Sequence, residues 1–207
     1  MEQAPEEFVN LILEFEGTKR KGYVPKDNQG NIIGKSGVTI GKGLDLGAQD
    51  ENSLRSMGLE GELLNKLKPY VGVKGKEADE IADTLTINPE EEKFINTAVT
   101  TRYWNTFNSS FKLYTGYDSA ELPDKARYAV ASRFFNSGGS IFKTGRGLTN
   151  LTKQLRTRDY KAAADNIETW FNPKGKFKAL VPRAQKEAAL FRQGFQEAGT
   201  VKDFNIT

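Results

Sequence analysis

The 207-residue chain reads as an α+β protein, and three features point there. Residues 21–46 form one glycine-rich stretch with β patterning. An amphipathic helix precedes it, and helical periodicity alone follows it. The length suits one domain, or one domain with two lobes, and can bury a substantial core. Aromatic residues make up 11% of the chain, which separates it from disordered sequences.

Residues 5–15 are expected to form the first helix. Pro5 suits a first helical turn, and Glu6 and Glu7 favour the positive end of the helix dipole. Phe8, Leu11, Ile12 and Phe15 repeat at helical spacing, Val9 and Leu13 widen the stripe, and Gly17 ends it. Asp27-Asn28-Gln29-Gly30-Asn31 is a turn signal. Residues 31–33 and 38–40 read as short strands of the one convincing β region. Asp50 caps a short helix through Leu54 and Met57, and residues 62–67 and 76–85 are further helices. Asn88-Pro89-Glu90-Glu91 sets a cap, a proline and an acidic first turn in order. The helix it opens carries Phe94, Ile95, Ala98 and Val99 on one face. Pro123 opens another, running past Tyr128 and Val130 to Phe134. Residues 148–155, 160–170 and 182–191 complete the set, without repeats, low-complexity tract or clear linker.

Histidine and cysteine are absent. That excludes a Ser-His-Asp triad, a Cys-His pair and a thiolate or imidazole zinc site. Hydrolytic chemistry must fall to carboxylates, hydroxyls, lysine or tyrosine, and neither metal nor organic cofactor is expected. A chain without cysteine also tolerates an oxidising compartment. The net charge of +3 is spread along the sequence, a mild bias towards anionic partners and no nucleic-acid footprint. No apolar run approaches the ~20 residues of a membrane span, so no stable membrane insertion is expected. The acidic N-terminus, Met1 to Glu7, lacks the basic and apolar regions of a signal peptide.

Glu16 falls seven residues after Val9, four after Ile12 and three after Leu13, extending an apolar ridge at the first helix's last turn. An apolar setting disfavours the charged carboxylate, as a proton donor working near neutral pH requires. A helix-end glutamate paired with an arginine has the same spacing. Glu14 shares its face with Glu7 and Asn10 and reads as solvated. In residues 37–47, Gly-Val-Thr-Ile-Gly-Lys-Gly-Leu-Asp-Leu-Gly, glycines permit sharp turns and close approach to a ligand. Thr39 alternates with Val38 and Ile40, so its hydroxyl faces away from them. Asp45 follows in a bend that could expose it. No Gly-Lys-Ser/Thr ends the segment, which argues against a phosphate loop.

Glu16-Gly17 followed by Thr39-Ile40-Gly41-Lys42-Gly43 resembles the active-site lobe of phage-type lysozymes, and more closely the muramidase domain of pesticin. In the common phage pattern the catalytic aspartate comes nine residues after the glutamate, where this chain has Pro25. In pesticin-like domains it comes six residues after the threonine, in a Thr-Ile-Gly-x-Gly-x-Asp-Leu-Gly run that residues 39–47 match at every fixed position. Asn88-Pro89-Glu90, Phe135-Asn136-Ser137-Gly138, Asp159-Tyr160, Trp170 and Pro182-Arg183-Ala184 resemble the later helices, so most of residues 5–192 is covered.

The resemblance implies a lysozyme-like two-lobed fold. A small lobe of about residues 16–85 and a helical lobe of about 89–207, with 1–15 packing on it, would form one catalytic domain with a cleft between lobes. It implies hydrolysis of the β-1,4 bond between N-acetylmuramic acid and N-acetylglucosamine in peptidoglycan glycan strands. Glu16 would be the general acid, Asp45 the second carboxylate and Thr39 the holder of the water, and inversion is the favoured outcome. Gly41, Gly43 and Asn136 would line the substrate site, with Arg183 supporting Glu16. Asp27 is the rival second carboxylate, although its surroundings invite a turn bonded to its own backbone. Trp104 and Trp170 read as core more than sugar platforms, and Lys174, Lys176 and Lys178 as a solvated basic stretch. The chain is expected to be a monomer, made in the cytoplasm and acting in the bacterial periplasm or cell wall. It would be a phage endolysin, or the lysozyme domain of a bacteriocin or secreted effector with an immunity protein or delivery machinery. The alternative is a catalytically silent glycan-binding or interaction module on the same fold.

Overall fold

The computed structural model describes residues 2–15 and 17–199. The chain divides into two compact units, Met1–Pro5 with Ile12–Arg102 and Glu6–Leu11 with Tyr103–Thr207. Helix α1 (Glu6–Phe15) bears Glu6 and Glu7 in its first turn. Its inner face is Phe8 and Ile12, 1% and 0% exposed, whereas Leu13 is 40% exposed.

In the first unit, β1 (Lys19–Tyr23), β2 (Thr39–Gly41) and β3 (Leu44–Asp45) form an antiparallel sheet in that order. A 3-10 turn, Leu46–Ala48, leads to α2 (Glu51–Ser56), α3 (Gly61–Leu67) and α4 (Gly75–Ile81). Asp50 caps α2 by accepting from the Ser53 amide at 2.7 Å. Val38, Ile40, Leu46, Leu54, Leu59, Leu67 and Ile95 are completely buried and form this unit's core.

Helix α5 runs from Pro89 to Thr115. Its start is a reciprocal cap. Asn88 Oδ1 accepts from the Glu91 amide at 2.8 Å, and Glu91 Oε2 accepts from the Asn88 amide at 2.8 Å. Ile95, Ala98 and Val99 are buried as their spacing predicts, but Phe94 is half exposed.

The second unit holds α6 (Asp124–Ser137), a small hairpin of β4 (Lys143–Thr144) and β5 (Gly147–Leu148), α7 (Asn150–Arg156), α8 (Tyr160–Glu168) and α9 (Val181–Glu197). Helix α9 packs against both α6 and α8. The aromatic core centres on Trp104, whose ring lies 4.9 Å from Phe8, 5.9 Å from Phe107 and 5.9 Å from Tyr128. Among the described residues no helix is long and apolar enough to cross a membrane.

Two expectations for the β structure are corrected. Residues 31–33 supply only an isolated bridge, Ile32 to Lys26, and Ile33 is 53% exposed. The turn at Asp27 commits the local backbone to itself, leaving no ladder to join. The strands that do pair include Lys19–Tyr23, where no strand is expected, and β4–β5 adds a second β region.

Candidate active site

The β2–β3 hairpin sets Thr39 directly opposite Asp45 and Ile40 opposite Leu44. Directly opposed residues of an antiparallel pair place their side chains on one face. Ile40 and Leu44 are 0% and 4% exposed, and their burial fixes the register, since a one-residue slip would turn them out. Thr39 and Asp45 therefore share the other face. Thr39 is buried, and Asp45 is half-buried.

The Asp45 carboxylate is held by backbone. Its Oδ1 accepts from the Gly37 amide at 3.1 Å and the Gly47 amide at 2.9 Å. Among the described residues Oδ2 accepts no hydrogen bond. Both donors need glycine. A Cβ on Gly37 would lie 2.4 Å from Gly47 Cα, and one on Gly47 would lie 2.5 Å from Val73 O. The Thr39 hydroxyl donates to Gly37 O at 3.3 Å. A hydroxyl has one proton, so Thr39 Oγ1 turns its lone pairs to any further partner.

Gly41 has φ +59° and sits so close to α5 that a Cβ would meet Asn96 Oδ1 at 2.8 Å. Asn96 in turn accepts from the Lys42 amide at 2.9 Å. It also donates through Nδ2 to Thr18 Oγ1 at 3.3 Å, and Thr18 donates to Glu92. The Lys42 side chain is only 6% exposed, and its Nζ donates to Ile12 O at 3.1 Å. Lys42 and Asn96 are absent from the sequence-based site. The burial of Lys42 between two glycines has no signal in periodicity. Glu16, the expected proton donor, lies outside the described residues.

Asp27 lies in a turn. Its Oδ1 accepts from the Gln29 and Asn31 amides, each at 2.9 Å, and its Oδ2 from Asn31 Nδ2 at 3.2 Å. Those bonds, led by the Asn31 amide, hold its carboxyl below the usual range.

A second polar cluster occupies the other unit. Arg183, on α9, is 7% exposed, which removes the reading of a surface arginine. Its Nε donates to Glu187 Oε1 at 3.0 Å and its Nη2 to Ser132 O at 3.1 Å and Ser132 Oγ at 3.2 Å. Ser132 Oγ also donates to Glu187 Oε1 at 2.6 Å, and Arg133 pairs with Glu187 Oε2. Arg133 and Glu187 are both completely buried. Burial pushes the Arg133 guanidinium down, against the opposing pull of Glu187. The Arg133 guanidinium lies over the Phe171 ring at 4.7 Å and the Trp170 ring at 5.9 Å. Asn136 is half-buried one helical turn beyond Ser132 on α6, and Trp104 is wholly core. Lys174, Lys176 and Lys178 are exposed.

The family model described as the C-terminal, phage-lysozyme-homologous part of the bacterial toxin pesticin matches residues 8–161, more than half of the chain. No curated protein sequence matches. A methionine variant of P22 lysozyme is similar in structure, with TM-score 0.57 and 24% identity, over 92% of this chain and 99% of that one. The muramidase domain of SpmX from Asticaccaulis excentricus is similar with TM-score 0.54 and 15% identity, over 92% and 98%. The active form of the P1 phage endolysin Lyz gives TM-score 0.53 and 16% identity, over 97% and 88%. At these identities the structural likenesses show the fold, lysozyme-like α+β.

Proposed function

The chain belongs to the pesticin family of phage-lysozyme homologues, and from that premise we propose that it is a muramidase, a single catalytic domain cleaving the β-1,4 bond between N-acetylmuramic acid and N-acetylglucosamine. Glu16 gives its proton to the glycosidic oxygen as the bond to the anomeric carbon breaks. A water attacks that carbon from the opposite face and passes its proton to Asp45, with inversion.

The observation that carries this reading is the pairing of Thr39 with Asp45 across β2 and β3. Thr39 Oγ1 offers lone pairs because its proton is directed to Gly37 O, and Asp45 offers Oδ2 because Oδ1 is held by two amides. A water donating one hydrogen to each is left with a lone pair aimed away from both. That is the orientation a nucleophilic water needs, and a hairpin register that pairs Thr39 with Asp45 supports this reading.

Purified protein incubated with peptidoglycan is expected to release new reducing ends and no new free amines, with Glu16→Gln reducing the rate by about 10²–10⁴-fold. Free amines without reducing ends would assign a different bond. Retained glycan binding without any cleavage would favour the silent binding module instead.

A further inference from the structure

Lys42 is a charged side chain inside the protein, 6% exposed, in a motif position between Gly41 and Gly43. Burying an ammonium carries a large desolvation cost unless it is matched by acceptors. One acceptor among the described residues is a helix-end carbonyl. Nζ donates at 3.1 Å to Ile12 O, one of the last four carbonyls of α1, which ends at Phe15. The last turn carries the negative end of the helix dipole, so a cation is favoured there, and a carbonyl oxygen has two lone pairs to offer. Glu16 is the next residue in the chain.

The other end of the lysine is equally fixed. Its amide donates to Asn96 Oδ1 at 2.9 Å, and Asn96 belongs to α5. Lys42 also lies in the turn joining the strand of Thr39 to the strand of Asp45. One residue thus connects the hairpin that holds the water-binding pair to the end of the helix that leads into the proton donor. A Met or Leu could fill the same volume, but neither could bond a helix-end carbonyl.

We infer that Lys42 is a positioning residue for the reaction: its ammonium ties the last turn of α1, which leads in the sequence to Glu16, to the hairpin that carries Thr39 and Asp45. This rests on the muramidase reading above. Removing the charge while keeping the volume should lower kcat and leave KM unchanged, because the glycan would bind but meet a displaced proton donor. Small displacements of a reacting group reach about a hundredfold in rate, so a fall of about ten- to a hundredfold is expected.

The absence of cysteine elsewhere in the chain makes a clean test possible. Lys42→Cys, alkylated while unfolded and then refolded, receives either an aminoethyl group, which restores the ammonium, or an ethyl group, which restores only bulk. Reducing-end release is measured for both, for Lys42→Met and for unmodified protein, with thermal melting as the folding control. The aminoethyl form should recover most of the unmodified kcat. The ethyl form and Lys42→Met should stay about ten- to a hundredfold lower, with KM within about twofold. Equal kcat for the aminoethyl and ethyl forms would overturn the inference, and failure of the ethyl form and Lys42→Met to fold would assign Lys42 to stability instead. An unmodified protein that releases no reducing ends overturns the muramidase reading itself, a result the variants cannot mimic.

Discussion

At the scale of single residues, two aspartates are candidates for the second carboxylate of the proposed reaction, and their partners differ. Asp27 has both oxygens engaged by its own turn, and the amide bonds that lower its pKa make it a weaker base. Asp45 has one oxygen engaged and one available among the described residues, opposite a threonine. Asp45→Asn is expected to cost about 10²–10⁴-fold in reducing-end release. Asp27→Asn should retain most activity, because asparagine also suits a turn. Loss with Asp27→Asn and retention with Asp45→Asn would reverse the assignment. The sequence proposes Asp45 because residues 39–47 match a spaced motif. The packing that requires glycine at both 37 and 47 was not legible there. Their amides bind the carboxylate, and a Cβ on either would lie within 2.7 Å of the other's Cα, a close approach between positions ten apart.

At the scale of elements, legibility followed amphipathic contrast and capping chemistry. Helix α5 was announced by Asn88, Pro89 and three glutamates, and the cap they form is reciprocal. Strand β1 was silent because Lys-Arg-Lys-Gly-Tyr buries only Gly22, so no alternation exists to read. The α6–α9 contact was equally silent about its charge. Arg183 and Glu187, four apart, resemble a solvated helix pair, and Arg133 carries no mark of burial. Among the described residues Glu187 is an anion paired with both arginines, so its charge matters to this junction. Glu187→Gln keeps the shape and removes the charge, leaving a buried cation uncompensated. It is expected to lower stability to denaturant by about 3–5 kcal/mol. A loss under about 1 kcal/mol would mean that water or neighbouring carbonyls already satisfy the arginines.

At the scale of the whole molecule, chain order and spatial order differ. The family model begins at residue 8, yet Glu6–Leu11 groups with residues beyond Tyr103 and not with the sheet that follows it in sequence. Periodicity made α1 legible but could not show which residues its apolar face would meet, because that face is satisfied by any core. The contact is Phe8 on Trp104, at 4.9 Å, with Tyr128 at 6.2 Å. Phe8 is 1% exposed and Trp104 0%, so truncating Phe8 opens a cavity with no solvent access to relax it. A buried Phe→Ala change costs about 3–5 kcal/mol. A chain of this size shifts by about 2–4 °C per kcal/mol. Phe8→Ala is therefore expected to lower the melting temperature by roughly 6–20 °C. The emission of buried Trp104 should shift in the native protein while half-buried Trp170 contributes an unchanged component. Reducing-end release measured well below melting should change far less than in Asp45→Asn, since Phe8 belongs to the second unit and Thr39 and Asp45 to the first. A melting temperature within about 2 °C of the unmodified protein would show that the second unit holds its aromatic core without its N-terminal segment.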